Sequence, residues 1–272
     1  FSSCSRNTSW RAFPWEALRD KGILKQRIGL KMKGIIFDKD GTLLKFDSFW
    51  RPVTEHAVEY ILRERKAPPG MKDRMMEAAG LDSGICGLIY RGTYAQLSEA
   101  FQNVLEEGGM DADRMDELTL EAFRNSMEAG KIIPACADMD EVFRRLKESG
   151  VRIFLVTTDC REITGRCLDE LKIRQYFDEI YTDDGKGHPK PDPYFIQEII
   201  KKYGMKKEEL VMAGDTVTDM EFARNGGIKA IGVADKEADR RILKRYTETV
   251  IDNIGYLPEI RERESREKGK ST

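Results

Sequence analysis

Two acids one residue apart, Asp38 and Asp40, lie in Asp38-Lys39-Asp40-Gly41-Thr42, directly behind the apolar run Gly34-Ile35-Ile36-Phe37. The run reads as a buried strand. Asp and Gly are depleted in strands, so the strand is expected to stop at Asp38 and expose both acids at a sheet rim. Like charges this close repel, which pushes their pKa values apart and leaves one acid ionised and one able to carry a proton. That division suits a nucleophile and a general acid/base.

Three further groups end strand candidates. Thr157-Thr158-Asp159 follows Val151–Val156, Lys190-Pro191 follows a strand near 180, and Gly214-Asp215-Thr216 follows Glu209–Ala213, with Asp219 four residues on. Asp38 and Asp215 offer hard oxygen ligands for Mg²⁺, Thr157 a hydroxyl, and Lys190 a point charge for an anion. With the metal, they would neutralise the oxygens of a phosphoryl group. Asp38 can attack phosphorus as a carboxylate, and Asp40 can protonate the leaving oxygen and then activate water against the aspartyl-phosphate. Plainer readings stand beside these. Gly-Asp-Thr is good capping sequence, so Asp215 can be a helix N-cap. Asp219 can be a surface acid, Thr157 can pack by its methyl, and Lys186 competes with Lys190. His188, beside Lys190, reads as an exposed loop histidine.

Composition narrows the classes. A net charge of -2 over 272 residues gives no basic field for nucleic acid or anionic membrane. No run of about 18 apolar residues predicts a membrane span. Five cysteines, Cys4, Cys86, Cys136, Cys160 and Cys167, are scattered and never in CxxC spacing, as expected of reduced thiols in a cytoplasmic protein. Two histidines, His56 and His188, leave almost no room for a His-rich zinc site or a serine triad.

These residues must be positioned by a larger frame. Strands are predicted at 34–38, 151–158, 179–183, 209–214, 229–234 and 249–252, with helical patterns between most of them. That alternation predicts an α/β fold with a parallel, Rossmann-like sheet, helices on both faces and the site beyond the carboxyl ends of the strands. Residues 48–133 hold no convincing strand and read as helices near 49–66, 72–79, 93–107 and 112–129, an all-helical insert resembling a cap domain. The expected organisation is an extrinsic or disordered 1–31, a catalytic core of 32–47 plus 134–257, the helical cap 48–133 and a charged tail 258–272. Linkers near Phe46–Ser48 and Lys131–Pro134 would let the cap hinge. Arg51, Tyr90 and Arg91 are the cap candidates for substrate recognition. Phe46, Phe49 and Trp50 are expected to pack the hinge, with the pocket wall as the second option.

The constellation resembles the haloacid dehalogenase-like hydrolase superfamily over nearly all of residues 32–255. Its first motif is matched by Asp38-Lys39-Asp40-Gly41-Thr42-Leu43, its second by Thr157, its third by Lys190 before Pro191, and its fourth by Asp215 and Asp219. The insert matches that family's C1 cap, and the general look is that of its phosphoglycolate phosphatase-like branch. By this resemblance Asp38 is the nucleophile, Asp40 the general acid/base, and Mg²⁺ is held by the Asp38 carboxylate, the Asp40 backbone carbonyl and Asp215. Asp219 would hold Lys190 or a metal-bound water, Gly41 would turn the chain under the phosphate, and Thr42 and Thr158 would border it. Thr158 departs from the asparagine common in relatives, and Lys45-Phe46 replaces a common acid. The expected activity is Mg²⁺-dependent hydrolysis of a small phosphate ester, phosphoglycolate or a sugar phosphate, by a monomer or homodimer. The alternatives are a phosphomutase of the same fold and a non-catalytic binding module.

Overall fold

The structure, a computed structural model, describes residues 31–182 and 187–268. Lys186 and nearly all of 1–31 lie outside the described residues.

The order of elements puts a helical block inside an α/β chain. After β1 (Gly34–Phe37) come α1 (Phe46–Glu64), α2 (Met71–Ala79), the single turn α3 (Leu88–Arg91), α4 (Tyr94–Glu107) and α5 (Met115–Ser126). The chain then runs α6 (Met139–Glu148), β2 (Arg152–Val156), α7 (Arg161–Glu170), β3 (Glu179–Tyr181), α8 (Tyr194–Tyr203) and β4 (Leu210–Gly214). It ends α9 (Val217–Gly226), β5 (Lys229–Val233), α10 (Glu237–Leu243), β6 (Thr249–Ile251) and α11 (Leu257–Lys268).

The six strands form one parallel sheet in the order β3-β2-β1-β4-β5-β6, so the fold is the α/β one expected. Alternation along β1 and β2 feeds both faces. Ile35, Phe37, Ile153 and Leu155 pack with Val142, Phe143 and Leu146 of α6 and with Leu257 and Ile260 of α11. Ile36, Phe154 and Val156 pack with Ile196 and Ile199 of α8 and Phe222 of α9. β1 is central, and the chain leaves it first toward β2 and later returns on its other side as β4. Ligands of such sheets bind at this reversal, beyond the strands' carboxyl ends.

Helices α1 to α5 share a second hydrophobic cluster, in which Phe49, Val53 and Ile61 of α1 meet Met75, Phe101, Leu105 and Phe123, and which Leu44 and Cys167 join from the core. α1 starts at Phe46, three residues before the expected helix, because Phe46 is held by tertiary contact: its ring stacks on Tyr90 at 3.6 Å. The two crossings between block and core run side by side. Lys45 N–H donates to the Ile133 carbonyl at 2.8 Å and Lys131 N–H to the Ser48 carbonyl at 3.0 Å. The charged segment after 257 is partly embedded, since Ile260 is buried and Glu259 and Glu262 pair with Arg145 of α6 at 2.6 Å each.

Candidate active site

β1 delivers Asp38 to the sheet rim, where the Asp38 N–H still donates to the Ala213 carbonyl of β4 at 2.9 Å. The chain then turns tightly: Leu43 N–H returns to the Lys39 carbonyl and Gly41 N–H to that of Leu44, each at 2.8 Å. Gly41 takes φ 81°, a left-handed conformation that favours glycine. Space is as strict as angle there, because a Cβ on Gly41 would lie 2.0 Å from Asp215 Oδ2.

Residues far apart in the chain meet at this point. Asp38, Asp215 and Asp219 are buried, and each offers a carboxylate oxygen within 4.8 Å of the others. Lys190 Nζ lies between them, donating to Asp38 Oδ1 and, at 2.7 Å, to Asp219 Oδ1. Thr42 Oγ1 donates to Asp215 Oδ1 at 3.0 Å.

Asp215 is not the helix cap that its Gly-Asp-Thr setting suggests. Thr216 is, its hydroxyl accepting from Asp219 N–H at 3.3 Å while Asp219 Oδ2 accepts from Thr216 N–H at 3.0 Å. Asp219 thus spends one oxygen on the cap and the other on Lys190, and acts as an anchor for the lysine. Among the described residues, the Asp215 carboxylate accepts a hydrogen bond on Oδ1 from Thr42 and none on Oδ2, which suits Oδ2 to a ligand.

The electrostatics follow from burial. It pushes the Asp38 carboxyl up to about 7; Lys190 pulls the other way, and Asp219 and then Asp40 add to the rise. Repulsion between Asp38 and Asp40, the influence read from sequence, therefore comes behind burial, Lys190 and Asp219. Asp215 is raised well above the ordinary range by burial, then by Asp38 and Asp219. Burial opposes charge on Lys190, but Asp219 and Asp38 outweigh it and its pKa is raised. With all three carboxyls ionised, one ammonium would leave two buried negative charges uncompensated, which is why their pKa values rise, and the donors are all hard oxygens. That set fits a divalent cation such as Mg²⁺ or Mn²⁺.

A cavity of about 190 Å³ opens over these groups, lined by Asp38, Asp40, Thr157, Thr158, Asp159, Lys190 and Thr216 from the core. Phe46, Trp50, Tyr90, Arg91, Tyr94 and Leu97 line it from the helical block. Tyr90 and Arg91 therefore reach this cavity. Arg51 does not line this cavity and instead bonds Asp82 at 2.8 Å on the block's surface. Gly41 and Thr42 do not line this cavity: Gly41 borders a neighbouring one together with Asp215, and buried Thr42 bonds Asp215. Phe46 and Trp50 belong to the cavity wall, whereas Phe49 is behind it. His188 bonds Asp192 at 3.0 Å and stacks on Tyr194.

Two buried charged residues beside the site had no role in the sequence reading. Lys39 is fully buried and pairs with Asp40 at 2.7 Å and Asp159 at 2.8 Å. The available signal was a lysine inside a buried turn, which demands carboxylate partners. Asp159 was spelled out in the second motif but given no task.

Comparison with known proteins agrees with the geometry. The family described as haloacid dehalogenase-like hydrolase matches residues 32–227. Phosphoglycolate phosphatase 1 of Pseudomonas aeruginosa is 26% identical over 227 residues, 82% of this chain and 77% of that protein. Pyrophosphatase PpaX of Bacillus velezensis is 30% identical over 128 residues, 46% of this chain and 59% of that one. In fold, a haloacid dehalogenase-like hydrolase of Bacteroides fragilis superposes with a TM-score of 0.61 at 22% identity, covering 84% of this chain and all of that one (100%). With its four motifs gathered at the sheet reversal and its family match running through them, the chain belongs to the haloacid dehalogenase-like hydrolases.

Proposed function

We propose that the protein is a Mg²⁺-dependent phosphatase of a small phosphorylated metabolite, phosphoglycolate or a similar acid or sugar phosphate, working through an aspartyl-phosphate on Asp38. The observation that carries this reading is the convergence of Asp38, Asp215 and Asp219 within 4.8 Å of one another, with Lys190 paired to Asp38 and Asp219 and both Asp38 and Lys190 lining a cavity that also contains Asp40.

When bound, Mg²⁺ would be held by Asp38, Asp215 and the Asp40 backbone carbonyl and would neutralise charge on the phosphoryl oxygens. Lys190 holds the same charge from the side. The Thr157 hydroxyl accepts from Asp159 N–H at 3.2 Å, which leaves its own proton for a phosphoryl oxygen. Asp38 Oδ attacks phosphorus as the ester bond breaks, and the Asp40 carboxyl gives its proton to the departing oxygen. Asp40, now a carboxylate, takes a proton from the water whose oxygen displaces Asp38 and frees inorganic phosphate. Asp219 aims Lys190, and the aromatic wall from the helical block, acting as a cap, keeps other water out.

Size and charge support a small anionic substrate. A volume near 190 Å³ is below the roughly 300–1,000 Å³ of sites that hold drug-sized ligands. Arg91 has no carboxylate partner among the described residues and suits a second anionic group, carboxylate or phosphate. A cytoplasmic location belongs to this proposal, because such metabolites are found there.

Hydrolysis of p-nitrophenyl phosphate should require Mg²⁺, cease with a chelator, and fall more than about a thousandfold in Asp38→Asn, whose amide cannot attack phosphorus. A panel containing phosphoglycolate, pyrophosphate and sugar phosphates then identifies the substrate. On it, Arg91→Met should raise KM about tenfold or more for a doubly anionic ester and leave that for p-nitrophenyl phosphate nearly unchanged. Absence of turnover on every ester, with Mg²⁺ still bound, would mean a binding module. An isomerised product formed only with a sugar bisphosphate would mean a phosphomutase.

A further inference from the structure

Lys39 is the one residue of the Asp38–Asp40 motif whose side chain turns away from the cavity, yet it is the most deeply buried of the three. Its ammonium lies 2.7 Å from Asp40 Oδ1 and 2.8 Å from Asp159 Oδ2, with the Phe49 ring centroid at 5.5 Å and Cys167 Sγ at 4.0 Å. Neighbouring side chains on an extended strand point to opposite sides. Contact between residues 39 and 40 therefore depends on the tight turn through Gly41.

An ammonium in such a place is expensive unless its partners are fixed. Packing alone would favour an apolar side chain, since Phe49 and Cys167 belong to the helical block's hydrophobic cluster. What distinguishes this ion pair from a structural one is where its carboxylates end. Both Asp40 and Asp159 line the cavity, and Lys39 does not. Lys190 is engaged elsewhere, between Asp38 and Asp219, so it does not hold Asp40. Lys39 donates to Asp40 Oδ1, and the Asp159 carboxyl also meets the Asp40 side chain.

We propose that Lys39, anchored by Asp159, is a positioning residue that fixes the Asp40 carboxyl in the orientation needed to protonate the leaving oxygen. The inference rests on the phosphatase reading above. In the step concerned, the bond from Asp38 Oδ to phosphorus forms, the phosphorus–ester oxygen bond breaks, and the Asp40 proton moves to that oxygen. A leaving group that is stable as an anion needs little of this proton, whereas a basic one needs it fully.

The test compares phenyl phosphate with p-nitrophenyl phosphate, reading the first-turnover release of the phenol with Mg²⁺ present, which isolates transfer to Asp38. In Lys39→Met, first-turnover release from phenyl phosphate should slow by about a hundredfold, the scale of acid catalysis, with KM little changed. Release from p-nitrophenyl phosphate should stay within a few-fold of the unaltered enzyme. Lys39→Gln, which can still donate to Asp40, should recover part of the loss. Where Lys39→Met alone does not fold, Lys39→Met with Asp159→Asn removes the stranded carboxylate and is read the same way. An equal slowing on both esters, or no slowing on either, overturns the proposal. Lack of p-nitrophenyl phosphate turnover in the unaltered protein would instead remove the functional reading, and this inference with it.

Discussion

Gly41 and Asp215 show how little room one residue can leave. The glycine turns the chain beneath the site with φ 81°, and the space beside its Cα is filled by the Asp215 carboxylate. A methyl group there must move either the backbone or the proposed metal ligand, and neither is the flexible end of a long side chain. Gly41→Ala is therefore expected to weaken Mg²⁺ binding by at least about tenfold and to lower kcat/KM by a hundredfold or so, the scale of a site displaced by 1 Å. Titration calorimetry with Mg²⁺ checks the first, and steady-state kinetics the second. In the unaltered protein, Mg²⁺ at about a hundred times its Kd should add roughly 2.7 kcal/mol of stability, seen as a rise in melting temperature. Asp215→Asn should lose that rise even if its own melting temperature is higher, because one of the buried charges has gone.

At the level of elements, the N-terminus of α9 joins a folding device to a catalytic one. Asp219 completes the Thr216 capping box with one oxygen and holds Lys190 with the other. The same side chain therefore both starts a helix and aims a cation. Asp219→Ala should cost the roughly 1 kcal/mol of a lost cap, and more for the buried lysine left with one partner. Denaturant unfolding measures that cost. Activity should fall further than stability explains, by about a hundredfold in kcat, because Lys190 then turns wholly to Asp38 and opposes the attack. A variant that loses stability but keeps kcat would show that Lys190 needs no anchor.

For the molecule as a whole, the question is how the helical block meets the core. Beyond the paired crossings at Lys45 and Lys131, the block packs on Cys167 of α7 and makes a further contact through the segment before α3. Ile85 is buried in a small cluster with Met220, Ala234, Leu243 and Val250 of the core. Asp47 accepts from Tyr90 Oη at 2.7 Å and from Lys236 Nζ at 3.1 Å, tying both sides together at the exposed edge. The exposed ion pair contributes little, while burying an isoleucine is worth about 1.5–3 kcal/mol. Ile85 is thus the stronger latch. Ile85→Asp should move the block toward an open arrangement and raise KM by about tenfold or more. Small-angle scattering should show a larger radius of gyration for the variant, and beryllofluoride with Mg²⁺ should compact the unaltered protein. A block equally placed in all three samples would remove the idea of gating.

Much of this protein was legible in its sequence because the relevant physics is local. An apolar run followed by acids and a glycine ends a buried strand whatever surrounds it. Alternating strand and helix patterns permit few arrangements other than a parallel sheet with its site at the strand ends. The motif residues Asp38, Thr157, Lys190, Asp215 and Asp219 were therefore found one at a time. Tertiary structure decided how they divide their work, because burial and partner choice depend on which residues the fold brings together, from 29 positions apart for Lys190 and Asp219 to 173 for Thr42 and Asp215. It gave the helix cap to Thr216 instead of Asp215, drew Asp219 to Lys190, took Arg51 out of the pocket and made burial the main influence on Asp38. Lys39 is the clearest case. Its neighbours in sequence suggest an exposed turn, and only the close approach of Asp159, brought over by β2, makes an ammonium stable in the interior.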